Sequence, residues 1–327
     1  MSFLIKDLEI KKRVILAPMA GITSFSYRKF MNEFNPGLTY TEMISDFGLI
    51  FHNKKTIDML YSDGSDRPLA IQLFGGSKET ILKAIDVLNE LNLKYDVLDL
   101  NLACPVPKVT KNGSGSSWLT RPDELYDMVR AVVSYSSKPV SAKIRLGYDE
   151  VNVDTIAPLL EKAGVSFLAI HARTKKELYS GKPHFELLKN IRDEISIPFC
   201  VSGNIYEVND ALEALKITRA DAVMVARGGV GNPLLIKNIN EALDGNGNFE
   251  KTNFDKQSEL LLKLTDYMLN EKGERQTFLI LRSIAPKFYL NLDLPNIKTL
   301  RSVLARDITS LDSLKNAIND YKKRELF

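Results

Sequence analysis

The stretch Val97-Leu98-Asp99-Leu100-Asn101-Leu102-Ala103-Cys104-Pro105 decides how the chain is read. Its first half is a short apolar run of the kind a buried parallel strand shows. Its second half turns polar and delivers a cysteine just past the strand end, where α/β folds build their sites. A loop with Lys108, Lys111, Asn112 and Gly113 follows. The same succession recurs on both sides. Strands are predicted at residues 14–18, 38–42, 69–74, 97–101, 140–145, 167–171, 198–202 and 222–226. Helical segments are predicted at 25–33, 78–91, 123–134, 154–163, 185–193, 208–215 and 234–242, while the segment after Glu42 shows no clear pattern. Strand–helix alternation implies parallel pairing through right-handed crossovers. Eight such units are the count of a (β/α)8 TIM barrel, whereas an open doubly wound sheet needs no eight regular repeats. Residues 1–242 are therefore read as a barrel. Residues 243–252, around Asp244-Gly245-Asn246-Gly247-Asn248, are read as a linker. From 253 to 327 the period is helical, through Leu260, Leu261, Leu264 and Met268 and then Phe278, Leu281 and Ile284, with turns near Gly273, Pro295 and Ser310. The expected fold class is thus α/β, a TIM barrel followed by a C-terminal all-α helical bundle.

Composition narrows the function classes. Apolar residues make up 44% and charged residues 26% of the 327 positions, values typical of a water-soluble globular chain. No run of ~18 apolar residues exists to span a membrane, and the N-terminus lacks a signal-peptide pattern. Two cysteines, Cys104 and Cys200, build neither a disulfide framework nor a metal site. A reducing cytoplasm, no metal and a monomeric state are expected. Net charge is only +3, but between Lys272 and Arg306 seven basic residues face only Glu274 and Asp293. Such a face is either merely solvated or an anion-binding surface.

Polar residues fall at the C-terminal ends of the strands one after another. These are Pro18-Met19-Ala20, Glu42, Gln72, Asn101 followed by Cys104, Lys143 with Arg145, His171 with Arg173, Ser202-Gly203-Asn204 and Ala226-Arg227. Each pair spaced by two shares one strand face. Taken singly, each has an ordinary structural reading. Lys143 inside an apolar strand is the hardest to dismiss, since buried lysines are rare without a partner. Together the residues line one barrel mouth. The glycine-rich turns after strands seven and eight let backbone N–H groups approach an anion, with Arg227 as a counter-charge, as in the usual phosphate site of this fold. A flat heterocycle with a phosphate tail fits such a mouth, and flavin mononucleotide (FMN) matches, with Gln72 at the pyrimidine edge and Lys143 near N1. Cys200, inside an apolar strand, reads as core packing.

In register and order, these motifs resemble the tRNA-dihydrouridine synthases, flavoenzymes that reduce uridine in RNA. The matching residues are Leu16 to Thr23, Glu42-Met43, Gln72, Asn101 to Pro105, Lys108-Val109, Gly113 to Ser116, Lys143 to Arg145, His171 to Thr174, Ser202 to Ile205 and Ala226 to Gly228. The helical tail with Arg282 and Lys287 resembles the family's RNA-binding domain. The family commonly has Asn-Met-Gly-Cys-Pro where this chain has Leu102 and Ala103 before the cysteine. It has Asn-Gly-Asp where this chain has Ser202-Gly203-Asn204. The resemblance implies Cys104 as general acid, delivering a proton to C5 of uracil after hydride from flavin N5 reaches C6. It implies Lys143 and His171 beside FMN and Asn101 and Arg145 nearer the base, and Arg173 is expected as a further substrate-binding residue. Lys108, Arg282 and Lys287 are then contacts to tRNA, and NADPH (or NADH) is the electron donor. A small-molecule pyrimidine oxidoreductase is the nearest alternative, since it too can carry a cysteine after strand four of a flavin barrel. A non-catalytic RNA-binding relic is the second. The motif His171-Ala172-Arg173-Thr174 and the long basic tail favour the RNA-modifying reading.

Overall fold

The structure is a computed structural model that describes residues 2–247 and 249–325. Met1, Asn248, Leu326 and Phe327 lie outside the described residues, so the expected linker is described except at Asn248 and the expected tail as far as residue 325. Ten strands are seen among the described residues: β1 (Phe3–Ile5), β2 (Leu8–Ile10), β3 (Val14–Leu16), β4 (Thr39–Ser45), β5 (Leu69–Phe74), β6 (Val97–Leu102), β7 (Val140–Gly147), β8 (Phe167–Thr174), β9 (Phe199–Ser202) and β10 (Ala222–Val225). β3 to β10 form one eight-stranded sheet in the order β3-β10-β9-β8-β7-β6-β5-β4. Neighbouring strands are parallel throughout. The two edges meet where Ile15 bridges Leu38 in parallel, and the Leu16 N–H donates to the Leu38 carbonyl at 3.0 Å. The sheet thus closes on itself into the TIM barrel that the strand count predicts.

Side-chain alternation explains why each strand feeds the mouth. Along β6, Leu98, Leu100 and Leu102 point outward into the large apolar layer shared with the helices. Val97 points inward with Ile15, Leu38, Tyr40, Ala70, Ala169 and Cys200, and Asp99 and Asn101 follow it at intervals of two. β1 and β2 pair as an antiparallel hairpin that plugs the N-terminal end of the barrel. Ile5 and Ile10 are fully buried there and Phe3 stacks on Phe167 at 5.6 Å. This plug is absent from the sequence reading, because two three-residue strands carry too little alternation to register.

Other boundaries differ for physical reasons. β7 and β8 run on to Gly147 and Thr174, past Arg145 and His171. The arginines that read as strand ends still alternate with outward-facing Leu146 and Ala172, which pack on the helical layer. The segment predicted as a helix at 185–193 is a 3-10 turn, Phe185–Leu188, and a one-turn helix, Ile191–Glu194. The unclear stretch after Glu42 holds two short helices, Asp46–Ile50 and Lys54–Asp58, each capped by a side chain, Ser45 and Asn53.

Beyond the last barrel helix, Leu234–Leu243, the described chain is helical: Phe254–Ile284, broken at Gly273 (φ 70°, ψ 170°), then Ile297–Arg306 and Leu311–Glu325. This bundle docks on two barrel units. The Glu271 carboxylate accepts the Ser26 N–H at 2.6 Å, at the start of the helix Phe25–Asn32, and Glu33, just past the end of that helix, accepts from Tyr267 at 2.9 Å. The turn after β10 touches the bundle directly. Gln257 Nε2 donates to the Gly231 carbonyl at 3.1 Å. Gly231 has φ +80°, and a Cβ there would lie 2.3 Å from the Lys287 carbonyl carbon. Gly231→Ala is therefore expected to destabilise the protein by about 1–3 kcal/mol through forced backbone displacement, seen as a lower denaturant midpoint. Among the described residues, no helix is long and apolar enough to cross a membrane.

Candidate active site

The strand ends surround a cavity of about 340 Å³ at the C-terminal mouth of the barrel, within the range of small-molecule sites. Pro18, Met19, Ala20, Gln72, Asn101, Cys104, Lys143, Arg145, His171, Ser202, Gly203, Asn204, Ala226 and Arg227 all line it. Fourteen residues from seven strand ends thus converge on one space, although they are spread over about two hundred positions of sequence.

The cysteine loop is anchored from below. Asn101 Oδ1 accepts the backbone N–H groups of Ala103 (3.2 Å) and Cys104 (2.9 Å). The Cys104 carbonyl accepts from the N–H (3.1 Å) and Oγ (2.9 Å) of Ser116. The Arg145 guanidinium crosses behind the loop, donating from Nε to the Ala103 carbonyl at 2.8 Å and from Nη1 to the carbonyls of Thr174 and Leu178. Cys104 is 7% exposed. Burial raises its pKa above the ordinary value, outweighing the Val106 N–H and the cations of Arg145 and Lys143, so it is protonated at neutral pH. Cys200 is fully buried in the barrel interior, and burial pushes its thiol well up, so it is core packing as expected.

Lys143 is enclosed by the barrel wall and makes no ion pair among the described residues. Burial and then the Arg145 charge push its ammonium down to about 8. It is still mostly a cation at neutral pH. His171 is held well below its ordinary value by burial and by the cations Lys143, Arg145, Arg173 and Arg227, so its ring is neutral. Arg173 Nη1 lies 3.3 Å from His171 Nε2. A guanidinium can only donate, so Nε2 accepts and the ring proton sits on Nδ1.

Arg173 itself stands behind the cavity wall. It is fully buried, and its other donors go to the carbonyls of Ser180 (2.9 Å) and Gly181 (2.6 Å). It is not among the residues that line the cavity, and the bonds it makes support His171 and the loop after β8. Lys108 is exposed on the one-turn helix Pro107–Thr110 and does not line the cavity. Arg282 donates to the Ile308 carbonyl at 3.0 Å, beside a separate cleft with Glu274, Arg275 and Phe278 in the helical bundle. Lys287 is half-buried behind the Gly231 turn. Burial and the Arg227 charge lower its pKa.

Sequence reasoning passed over two residues. Tyr179, 53% exposed, roofs the cavity with its ring against the guanidinium groups of Arg227 (4.8 Å) and Arg145 (5.4 Å) and edge-on to His171. An aromatic in a polar loop five residues past Thr174 was its only signal. Asp99 is a buried carboxylate in the strand interior, visible in the sequence as an acid within Val97-Leu98-Asp99-Leu100.

The donor set suits a flat, hydrogen-bonding ring with an anionic tail. Arg227 makes no ion pair among the described residues and stands beside Gly228. A Cβ at Gly228 would lie 1.9 Å from the Ile205 carbonyl oxygen, so only glycine lets the turns after β9 and β10 meet there. Lys143 supplies a further cation that forms no salt bridge among the described residues, the buried Asp99 acting on it only as a nearby charge.

A family model described as dihydrouridine synthase (Dus) matches residues 15–324. The chain is 34% identical over 323 residues to a probable tRNA-dihydrouridine synthase of Aquifex aeolicus, covering 97% of this chain and 98% of that one. It is 33% identical to tRNA-dihydrouridine synthase B of Pasteurella multocida, over 71% of this chain and 70% of that one. Among solved structures, the old yellow enzyme homologue of Zymomonas mobilis shares the fold, with a TM-score of 0.52 and 12% identity over 78% of this chain and 95% of that one.

Proposed function

The chain belongs to the dihydrouridine synthase family, and from that premise we propose that it is an FMN-dependent tRNA-dihydrouridine synthase, reducing the C5–C6 bond of uridine with NADPH or NADH as the electron donor. The observation that carries this reading is the placement of Cys104 in one cavity with Lys143 and Gln72, where burial favours the protonated thiol. Bound there, the flavin would supply the hydride that adds to C6. Residues fitted to hold it are Gln72 and Lys143 toward the ring, and Gly203, Asn204 and Arg227 toward the phosphate.

Conjugation to the C4 carbonyl makes C6 of uracil electrophilic, and hydride addition leaves negative charge that needs a proton at C5. Cys104 delivers that proton. A thiol kept protonated by burial is a suitable acid at neutral pH, and a thiolate is stable enough to be left behind. Arg145, bonded to the same loop, stabilises that thiolate until solvent reprotonates it. Asn101 and Arg145 supply donors toward the base, and Tyr179 closes the roof over it.

A paired or stacked uridine is out of reach of such a mouth, so the base must be flipped out. That costs a few kcal/mol, least in an unstacked loop. The basic residues Lys108, Arg282 and Lys287 offset the cost through phosphate contacts, which makes binding weaken with salt.

Lys143→Ala tests the cofactor half of the proposal. Removing one charge-assisted contact is expected to weaken flavin binding about 10–100-fold. The variant should purify pale while keeping its circular dichroism spectrum. Undiminished yellow absorbance would place the cofactor elsewhere.

A further inference from the structure

The barrel interior holds a carboxylate that the proposed chemistry does not use. Asp99 is fully buried one inward position below Asn101. Its Oδ1 accepts from Ser141 Oγ at 2.5 Å and its Oδ2 from Gln72 Nε2 at 2.7 Å. Gln72 Oε1 in turn accepts from Asn101 Nδ2 at 2.7 Å. Asn101 then holds the N–H groups of Ala103 and Cys104. An unbroken chain of hydrogen bonds therefore runs from Asp99 to the backbone of the cysteine.

That chain has a direction. A primary amide has two orientations of nearly equal shape that exchange donor for acceptor. An ionised carboxylate only accepts, so it turns the Gln72 NH2 group toward itself. The Gln72 oxygen then faces Asn101, the Asn101 NH2 group faces Gln72, and the Asn101 oxygen is left for the loop. We propose that Asp99 is a positioning residue for Cys104: its carboxylate sets the polarity of the Gln72 and Asn101 amides and so holds the thiol's loop in register. The inference rests on the reading of Cys104 as proton donor.

The groups facing Asp99 are Tyr40 from β4, Gln72 from β5, Ser141 and Lys143 from β7 and Cys200 from β9. Burial raises the carboxyl to about 6, against the opposing pull of the Ser141 and Gln72 hydrogen bonds and the Lys143 charge. Above that pH the carboxylate accepts and the chain keeps its direction. Below it the carboxylic acid can donate, the Gln72 oxygen can turn toward it, and Asn101 Nδ2 then faces another donor. The cysteine loop loses its anchor.

Asp99→Asn keeps the shape and removes the obligatory acceptor. In the flavin-loaded protein, the rate of tRNA reduction is expected to fall about 10–100-fold, the scale of a small misplacement. Its acid limb, centred near pH 6 in the wild type, should vanish. Alkylation of Cys104 by iodoacetamide, read by mass spectrometry, should speed up several-fold. The melting temperature at neutral pH should not fall, because a costly buried charge is gone. Ser141→Ala removes a hydrogen bond that lowers the Asp99 pKa, so it should move the acid limb upward. Unchanged alkylation and pH profile in Asp99→Asn would overturn the inference. So would a lower melting temperature with the profile intact, since that is simple structural support. Failure of the underlying reading looks different: Cys104→Ala would keep its turnover while alkylation still responded to Asp99.

Discussion

Cys104→Ala loses about 10²–10⁴-fold in the rate at which tRNA oxidises the reduced flavin, the usual worth of a placed general acid, and keeps its bound flavin. The expectation follows from the separation of tasks in the mouth. The cations Lys143 and Arg227 and the amide of Gln72 serve the cofactor, and none of them depends on the thiol. The loop's backbone is pinned at the Cys104 N–H by Asn101 and at its carbonyl by Ser116, so removal of the sulfur leaves the loop in place. Cys104→Ser is nearly as slow, because a hydroxyl is a much weaker acid and cannot leave a stable anion. The wild-type pH profile carries the sign of the burial shift. Raised above its ordinary value near 9, the thiol stays protonated at higher pH than a free cysteine. The thiol's own contribution is therefore a decline on the alkaline side, above that value, separate from the acid limb set by Asp99. Stopped-flow absorbance of the flavin, with unmodified tRNA as the oxidant, reads both the rate and its pH dependence. A variant that reoxidises at the wild-type rate would remove Cys104 from the chemistry.

Asp66→Ala is expected to cost about 3–5 kcal/mol of stability, the range for breaking a buried ion pair on one side. Arg28 and Asp66 are both wholly buried and meet at 2.7 Å. The same guanidinium donates to the carbonyls of Thr23 and Tyr61, each at 2.8 Å, and Asp66 also accepts from Ser62. Loss of the carboxylate strands a buried cation with no partner charge. The damage reaches the site as well, because Thr23 ends the loop that carries Pro18, Met19 and Ala20 to the cavity. Urea unfolding followed by tryptophan fluorescence should show a lower midpoint with an unchanged slope. Flavin affinity should fall in parallel. A midpoint within the range of an ordinary surface substitution would contradict this account of the loop.

The barrel was legible in the sequence because parallel strands buried on both faces are written as short apolar runs, and eight of those runs are separated by amphipathic segments. The mouth was legible for the same reason: a lysine, a histidine or a glutamine at the end of such a run has nowhere to go but inward and up. What stayed hidden depended on contacts distant in sequence. The β1–β2 plug is recognisable only from the barrel floor that it covers. Arg173 reads in the sequence as one more polar residue of the mouth because it shares a strand face with His171. Its donors were instead claimed by carbonyls seven and eight residues on, which no spacing rule reveals. Tyr179 became part of the site only once Arg145 and Arg227 had been brought against its ring. Asp99 was in plain view, yet an acid in an apolar strand acquires meaning only when Ser141, Gln72 and Asn101 are seen around it.

The most direct measurement is nucleoside analysis of a single unmodified tRNA transcript after incubation with the purified, flavin-loaded protein and reduced nicotinamide. The account predicts dihydrouridine in the wild-type digest and almost none with Cys104→Ala. No dihydrouridine from the wild type, or equal amounts from the two proteins, would contradict it.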